Sequence, residues 1–223
     1  MKNVKQKKLL IIILVLIIIS IILISKYTIN NNYINKYKNN IYEPSLAKKL
    51  LFLNIQEKYI AHYNYGTSLY QTEDYKNAKK EFNKALKTTP KKRICYVRAN
   101  LALTEIKLLP EKEDIDILIK RIENIENILL ENDCATINHN GKDKKSQDIY
   151  DYLEQIKNEL NQEQGQGGEG SEGEEEPNEG EEVIENETDK IDKIKSKDRQ
   201  AADGRNPSRE QEYNENNYNE AVW

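Results

Sequence analysis

The chain has 223 residues with 34 basic and 38 acidic side chains, a net charge of −4 and only two cysteines and two histidines. The near-neutral total conceals a division, because residues 163–223 hold 19 acidic against 7 basic side chains and the remainder is therefore basic. An acidic end excludes nucleic acid as its partner by sign, and two cysteines without a Cys-x-x-Cys pair or paired histidines exclude a Zn-finger type of framework.

Residues 1–8 form a basic N-terminus with Lys2, Lys5, Lys7 and Lys8. Residues 9–25 follow as an almost unbroken hydrocarbon run in which only Ser20 and Ser25 are polar. Inside a bilayer every backbone polar group needs an internal partner, so this run is expected to be a helix. Seventeen residues rise roughly 25 Å, slightly short of a hydrocarbon core of about 30 Å. Lys8 and Lys26 can snorkel to cover the difference. A cleaved signal peptide has a shorter apolar region and a small-x-small site. Here the run ends Ile24-Ser25-Lys26-Tyr27-Thr28, which favours an uncleaved signal anchor. The lysines before the run point to a cytoplasmic N-terminus and an external body. Residues 26–44, rich in Asn, read as a linker.

Residues 45–162 are expected to form an all-α domain of about six helices. The first, Ser45 to Lys58, carries Leu46, Leu50, Phe52, Leu53 and Ile55. The next segment has Ala61-His62-Tyr63-Asn64-Tyr65-Gly66, Leu69-Tyr70, Asp74-Tyr75, Ala78, Phe82, Ala85-Leu86 and Pro90 in a fixed register. Gly66 and Ala78 are small where two antiparallel helices would approach closely, and Tyr65, Leu69, Tyr75, Phe82 and Ala85 fall on facing stripes. Asp74 can cap the second helix and Pro90 can stop it. This pattern resembles the tetratricopeptide repeat (TPR), a helix–turn–helix unit of about 34 residues. His62 departs from it, since the family usually has a large aromatic there.

Val97-Arg98-Ala99-Asn100-Leu101-Ala102-Leu103 resembles the start of a second, degenerate unit, whose first helix ends at Pro110. A helix from Glu113 to Glu131 follows, with Ile115, Leu118, Ile119, Ile122, Ile125, Ile128 and Leu129 on one face. A last helix, Ser146 to Gln162, keeps Ile149, Tyr152, Leu153, Ile156 and Leu160 inward and suits the capping role that repeat arrays require.

Cys95 and Cys134 would lie at neighbouring ends of an antiparallel pair. In an oxidising compartment they could form a disulfide; the alternative is two small buried thiols. His62 and His139 are isolated, no Gly-rich phosphate loop follows a strand, and no nucleophile has a recognisable base. We therefore expect no catalytic residue, no metal site, no cofactor and no small-molecule substrate.

Residues 163–223 are expected to be a disordered acidic tail, because Glu163 to Asp189 combines 12 acidic residues and 6 glycines with no basic residue, too little apolar surface to offset chain entropy. Trp223 has no core to join in such a segment. It reads either as a docking motif or as a plainly exposed aromatic.

The anchor, the small repeat domain with Asn100-Leu101-Ala102, the Glu/Gly-rich tail and the terminal aromatic together resemble the TPR membrane proteins encoded beside MoxR-type AAA+ ATPases and von Willebrand factor A (Bat-type) proteins in bacteria. That resemblance implies a single-pass adaptor of the bacterial cytoplasmic membrane and envelope that binds protein partners. In such repeats the first helix of each unit lines a concave groove. The groove positions here would be Asn64, Thr67, Ser68 and Gln71 in the first unit and Arg98, Asn100 and Thr104 in the second. A chaperone-like accessory of protein export and a structural envelope protein are the competing expectations.

Overall fold

A computed structural model describes residues 2–54, 57–110 and 112–166. The described elements are all helical, and no strand occurs among them. The expected acidic tail beyond Gln166, with Trp223, lies outside the described residues, as does Ile55.

Helix α1 runs from Lys2 to Lys38 without a break. Its apolar part is long enough to cross a membrane, and none of that stretch is buried by the rest of the protein. The segment 26–44, expected as a linker, is instead mostly a continuation of this helix. The physical reason is packing. Ile29, Tyr33 and Tyr37 recur every four residues, so they share one helix face, and with Leu46, Ala47 and Leu50 they form a small core. The Asn-rich sequence between them faces outward and pays little for being helical once that stripe is covered.

Asn40, at φ 58°, turns the chain. Helix α2, Pro44–Leu53, returns alongside α1, with Pro44 in the first turn, where a missing N–H costs nothing. Leu46, Ala47 and Leu50 face inward, whereas Phe52 is 77 % exposed. The helix ends at Leu53 with Asn54 as its cap, short of the expected end at Lys58, where the next helix begins.

Helices α3, Lys58–Gln71, and α4, Tyr75–Leu86, form a tight antiparallel hairpin. Asp74 caps α4 by accepting from the Asn77 backbone N–H, which satisfies one of the donors orphaned at a helix start. Helix α4 ends at Leu86, ahead of Pro90, which opens a short 3-10 turn over Lys91–Arg93. Gly66 permits the close approach: a Cβ built there would lie 2.9 Å from Phe82 Cε1. Phe82, Ala78 and Ala85 are fully buried against Leu69, Val97 and Leu101. Gly66→Ala is expected to destabilise the domain by about 1–3 kcal/mol through overpacking against this ring, measured by urea unfolding. An unchanged midpoint would mean that the hairpin is not packed this closely.

Helices α5, Ile94–Lys107, and α6, Ile115–Leu130, form a second hairpin. Asp114 caps α6 by accepting from the N–H groups of Asp116 and Ile117. Helix α7, Lys144–Gln166, covers the open side of that hairpin. Ala102, Leu103, Ile106, Leu118, Ile122, Leu129, Leu153 and Leu160 make the main core among α5, α6 and α7. Each fully buried leucine or isoleucine there contributes about 1.5–3 kcal/mol of transfer free energy. Cys95 and Cys134 are joined in a disulfide that ties the start of α5 to the segment after α6.

Candidate functional site

The expected groove residues do come together, on the inner faces of α3 and α5. Most of them are covered by the protein itself. In the first unit, Asn64, Thr67 and Ser68 are buried. The Tyr33 hydroxyl from α1 donates to the Asn64 carbonyl oxygen at 3.1 Å and lies 3.2 Å from Ser68 Oγ. Burial drives the Tyr33 phenol well above its usual ionisation range, with the Ser68 hydrogen bond pulling weakly the other way. It is therefore a neutral donor at any physiological pH. Thr67 Oγ1 donates to the carbonyl oxygen of Tyr63 at 3.0 Å, an i−4 bond that turns it away from a ligand. Gln71 remains half-buried at the end of α3.

In the second unit, Thr104 is fully buried and donates to the Asn100 carbonyl oxygen at 2.6 Å. Arg98 is buried and spent on the end of α6: Nε donates to Asn132 Oδ1 at 3.1 Å, Nη1 to the Ile128 carbonyl oxygen at 3.3 Å, and Nη2 pairs with Glu131. Its guanidinium thereby satisfies one carbonyl in the last turn of α6 and holds Asn132, which sits at φ 63°. Asn100 stays half-buried. It donates through Nδ2 to Tyr63 Oη at 2.8 Å and accepts from Lys145 Nζ at 3.1 Å. The network Tyr63–Asn100–Lys145 thus links α3, α5 and α7. What remains accessible of the expected groove is Gln71 and Asn100, beside the half-buried Tyr63 and Lys145.

Three contributors were not singled out from sequence: Tyr33, Lys145 and Gln147. Tyr33 carried a signal in the four-residue spacing from Ile29 to Tyr37. Gln147 had none. Its Oε1 accepts from the N–H groups of Thr136 at 2.8 Å and Gly141 at 2.9 Å, while Nε2 donates to the Thr136 carbonyl oxygen at 3.0 Å. This one amide holds the loop between the disulfide and α7. His139 in that loop contacts Asp151 Oδ1 at 2.7 Å through Nδ1, and the carboxylate holds the imidazole above its usual value. A raised imidazole pKa stabilises the fold below the unfolded-state pKa and loses that contribution as pH rises through the folded-state pKa. An NMR titration of His139 should give a midpoint above that of a free histidine, and Asp151→Asn should return it there. Equal midpoints would show that His139 does not meet Asp151.

His62 Nδ1 meets Glu81 Oε2 at 2.7 Å, and Lys84 Nζ meets Glu81 Oε1 at 2.7 Å. This acid joins α4 to His62 of α3, the position at which the resemblance would have placed an aromatic. Between α6 and α7, buried Glu126 bonds Lys157 Nζ at 2.5 Å while its Oε1 has no partner. Burial raises the Glu126 carboxyl, and Lys157 opposes that shift. Among the described residues no group of three or more His, Cys, Asp or Glu is placed to hold a metal.

Comparison of the chain with family models, with curated proteins and with solved structures finds no match.

Proposed function

We propose that the protein is a membrane-anchored scaffold of the tetratricopeptide-repeat kind, which holds protein partners close to the bilayer. The observation that carries this reading is the continuity of α1. One helix contains both the apolar stretch and Tyr33, and Tyr33 is bonded into the first helical hairpin. A partner bound to the hairpins would therefore be held at a fixed distance from the lipid, with no flexible tether. The hairpins, closed by small residues at Gly66 and Ala78 and capped by α7, support the repeat reading. The Cys95–Cys134 bridge supports an extracytoplasmic body, since such bridges persist in oxidising compartments.

The partner surface we assign is the accessible remnant of the inner face, around Gln71 and Asn100, with Tyr63 and Lys145 beside it. A von Willebrand A domain or a MoxR-type ATPase is the partner class that the sequence resemblance suggests. Photo-crosslinking in cells tests this. A photoreactive residue at Gln71 or Asn100 should give one discrete protein adduct, and one at Lys80 on the outer face of α4 should give none. A smear of many adducts would favour an export chaperone. No adduct from either inner position would sink the scaffold reading.

A further inference from the structure

The hairpin of α1 and α2 brings the chain back to where it left the apolar span. From Lys26 to Lys38 helix α1 rises about 18 Å, and the ten residues of α2 descend about 15 Å beside it. The register is fixed by a hydrogen bond: Lys26 Nζ donates to Asn54 Oδ1 at 3.2 Å. Lys26 is the first charged residue after the apolar run. The end of α2 therefore lies level with the mouth of the span. Phe52, 77 % exposed, stands on that end and turns away from the α1 face that Leu46, Ala47 and Leu50 cover. A lone exposed aromatic is ordinary on a protein surface. This one sits at the interfacial depth where Trp and Tyr collect in membrane proteins and where Phe serves on the apolar face of surface-bound helices.

The neighbouring turn has the matching charge. The contacts of His62 with Glu81 and of Gly66 with Phe82 set α4 antiparallel to α3, which puts the end of α4 beside the start of α3. Lys58, Lys87, Lys91 and Lys92 are all exposed at these two turns, with Glu57 the one acid among them. The opposite turn, between α3 and α4, carries Glu73 and Asp74 instead.

The geometry points to a second membrane contact: Phe52 inserts at the headgroup level of an anionic phospholipid bilayer while Lys58, Lys87, Lys91 and Lys92 lie against its surface. The inference rests on the anchor reading above, and it adds a fixed orientation of the domain on the bilayer. An amphipathic surface at this depth buries its apolar group about 5–10 Å below the phosphates. Each basic side chain near an anionic leaflet adds about fivefold to the partition.

The test uses the full chain with Trp223→Phe, which removes its single tryptophan. The protein is reconstituted in phosphatidylcholine–phosphatidylglycerol vesicles containing lipid brominated high on the acyl chain. Tryptophan is then introduced separately as Leu16→Trp in the span, Phe52→Trp at the proposed contact, and Ile41→Trp at the far turn. Strong quenching of the Leu16→Trp and Phe52→Trp variants with none of Ile41→Trp supports the inference. Quenching of Leu16→Trp alone overturns it and leaves the anchor standing. No quenching of Leu16→Trp overturns the anchor and the inference together. Blue-shifted but unquenched emission from Phe52→Trp overturns it in favour of a second copy of the chain covering that face. Adding Lys91→Glu and Lys92→Glu should weaken the Phe52→Trp quenching on vesicles with phosphatidylglycerol and change it little on phosphatidylcholine alone. Equal quenching on both overturns the part played by anionic lipid.

Discussion

Reducing or removing the Cys95–Cys134 bridge should cost the domain about 4 kcal/mol, as expected for closing a loop with a sequence separation of 39. For a domain of this size that lowers Tm by roughly 15 °C. The loop encloses α5 and α6 and most of the main core, so the constraint falls on the pairing of those two helices. The double variant Cys95→Ala, Cys134→Ala should show the full loss by differential scanning calorimetry and then be indifferent to dithiothreitol. The unmodified protein should fall to nearly the same Tm when dithiothreitol is added. A reductant-insensitive Tm in the unmodified protein would mean that the cysteines are not joined.

Tyr33→Ala is expected to release α1 from the bundle. A buried aromatic truncated to alanine loses about 3–5 kcal/mol, and the core that Tyr33 shares with Leu46, Ala47 and Leu50 has few other members. The loss should be local, because the hydrophobic cores of α3 to α7 do not depend on it. The expected readout is faster hydrogen exchange over residues 26–38 and α2, with α5 and α6 unaffected. Trypsin should cut sooner at Lys36 and Lys48. Tyr33→Phe keeps the ring and should cost only about 1 kcal/mol, because Ser68 can return its hydroxyl to a helix carbonyl. Unchanged exchange over 26–38 in Tyr33→Ala would show that α1 and the hairpins are not one unit, and the scaffold reading would lose its fixed geometry.

Much of the helical order was legible from residue spacing. The stripes Ala78–Phe82–Ala85 and Leu118–Ile122–Ile125–Leu129 repeat at helical period, and Asp74 marks a start by chemistry that acts within one turn. Gly66 and Ala78 were readable as close-approach positions because only small residues allow it. The linker was misjudged for a reason equally local. Asn30-Asn31-Asn32 lowers the helical preference of its window, and the stripe through Tyr33 shows its value only when α2 covers it. Spacing along α2 does not say that Phe52 stays uncovered, which follows from its side of the helix having no neighbour.

The groove shows the limit most clearly. Asn64, Ser68, Arg98 and Thr104 are polar residues on the inner faces of their helices, which by spacing alone is what a ligand-facing surface looks like. Spacing assigns a residue to a face and leaves open what that face meets. Here it meets Tyr33 from 31 residues earlier and Asn132 from 34 residues later, and those contacts close through chain segments whose own sequence does not encode their destination.

The sequence by itself determined the helical class, the apolar N-terminal run, the six helices after it and the positions where two backbones must come close, because each depends on residues within a turn or two of one another. Only the tertiary structure decided that α1 packs on α2 and bonds to α3, that Cys95 reaches Cys134, that most groove positions are filled from within and that Phe52 stands beside the end of the apolar run. Those outcomes depend on which faces are covered when α2 folds back on α1 and α7 on α5, and burial of that kind is a property of the packed chain.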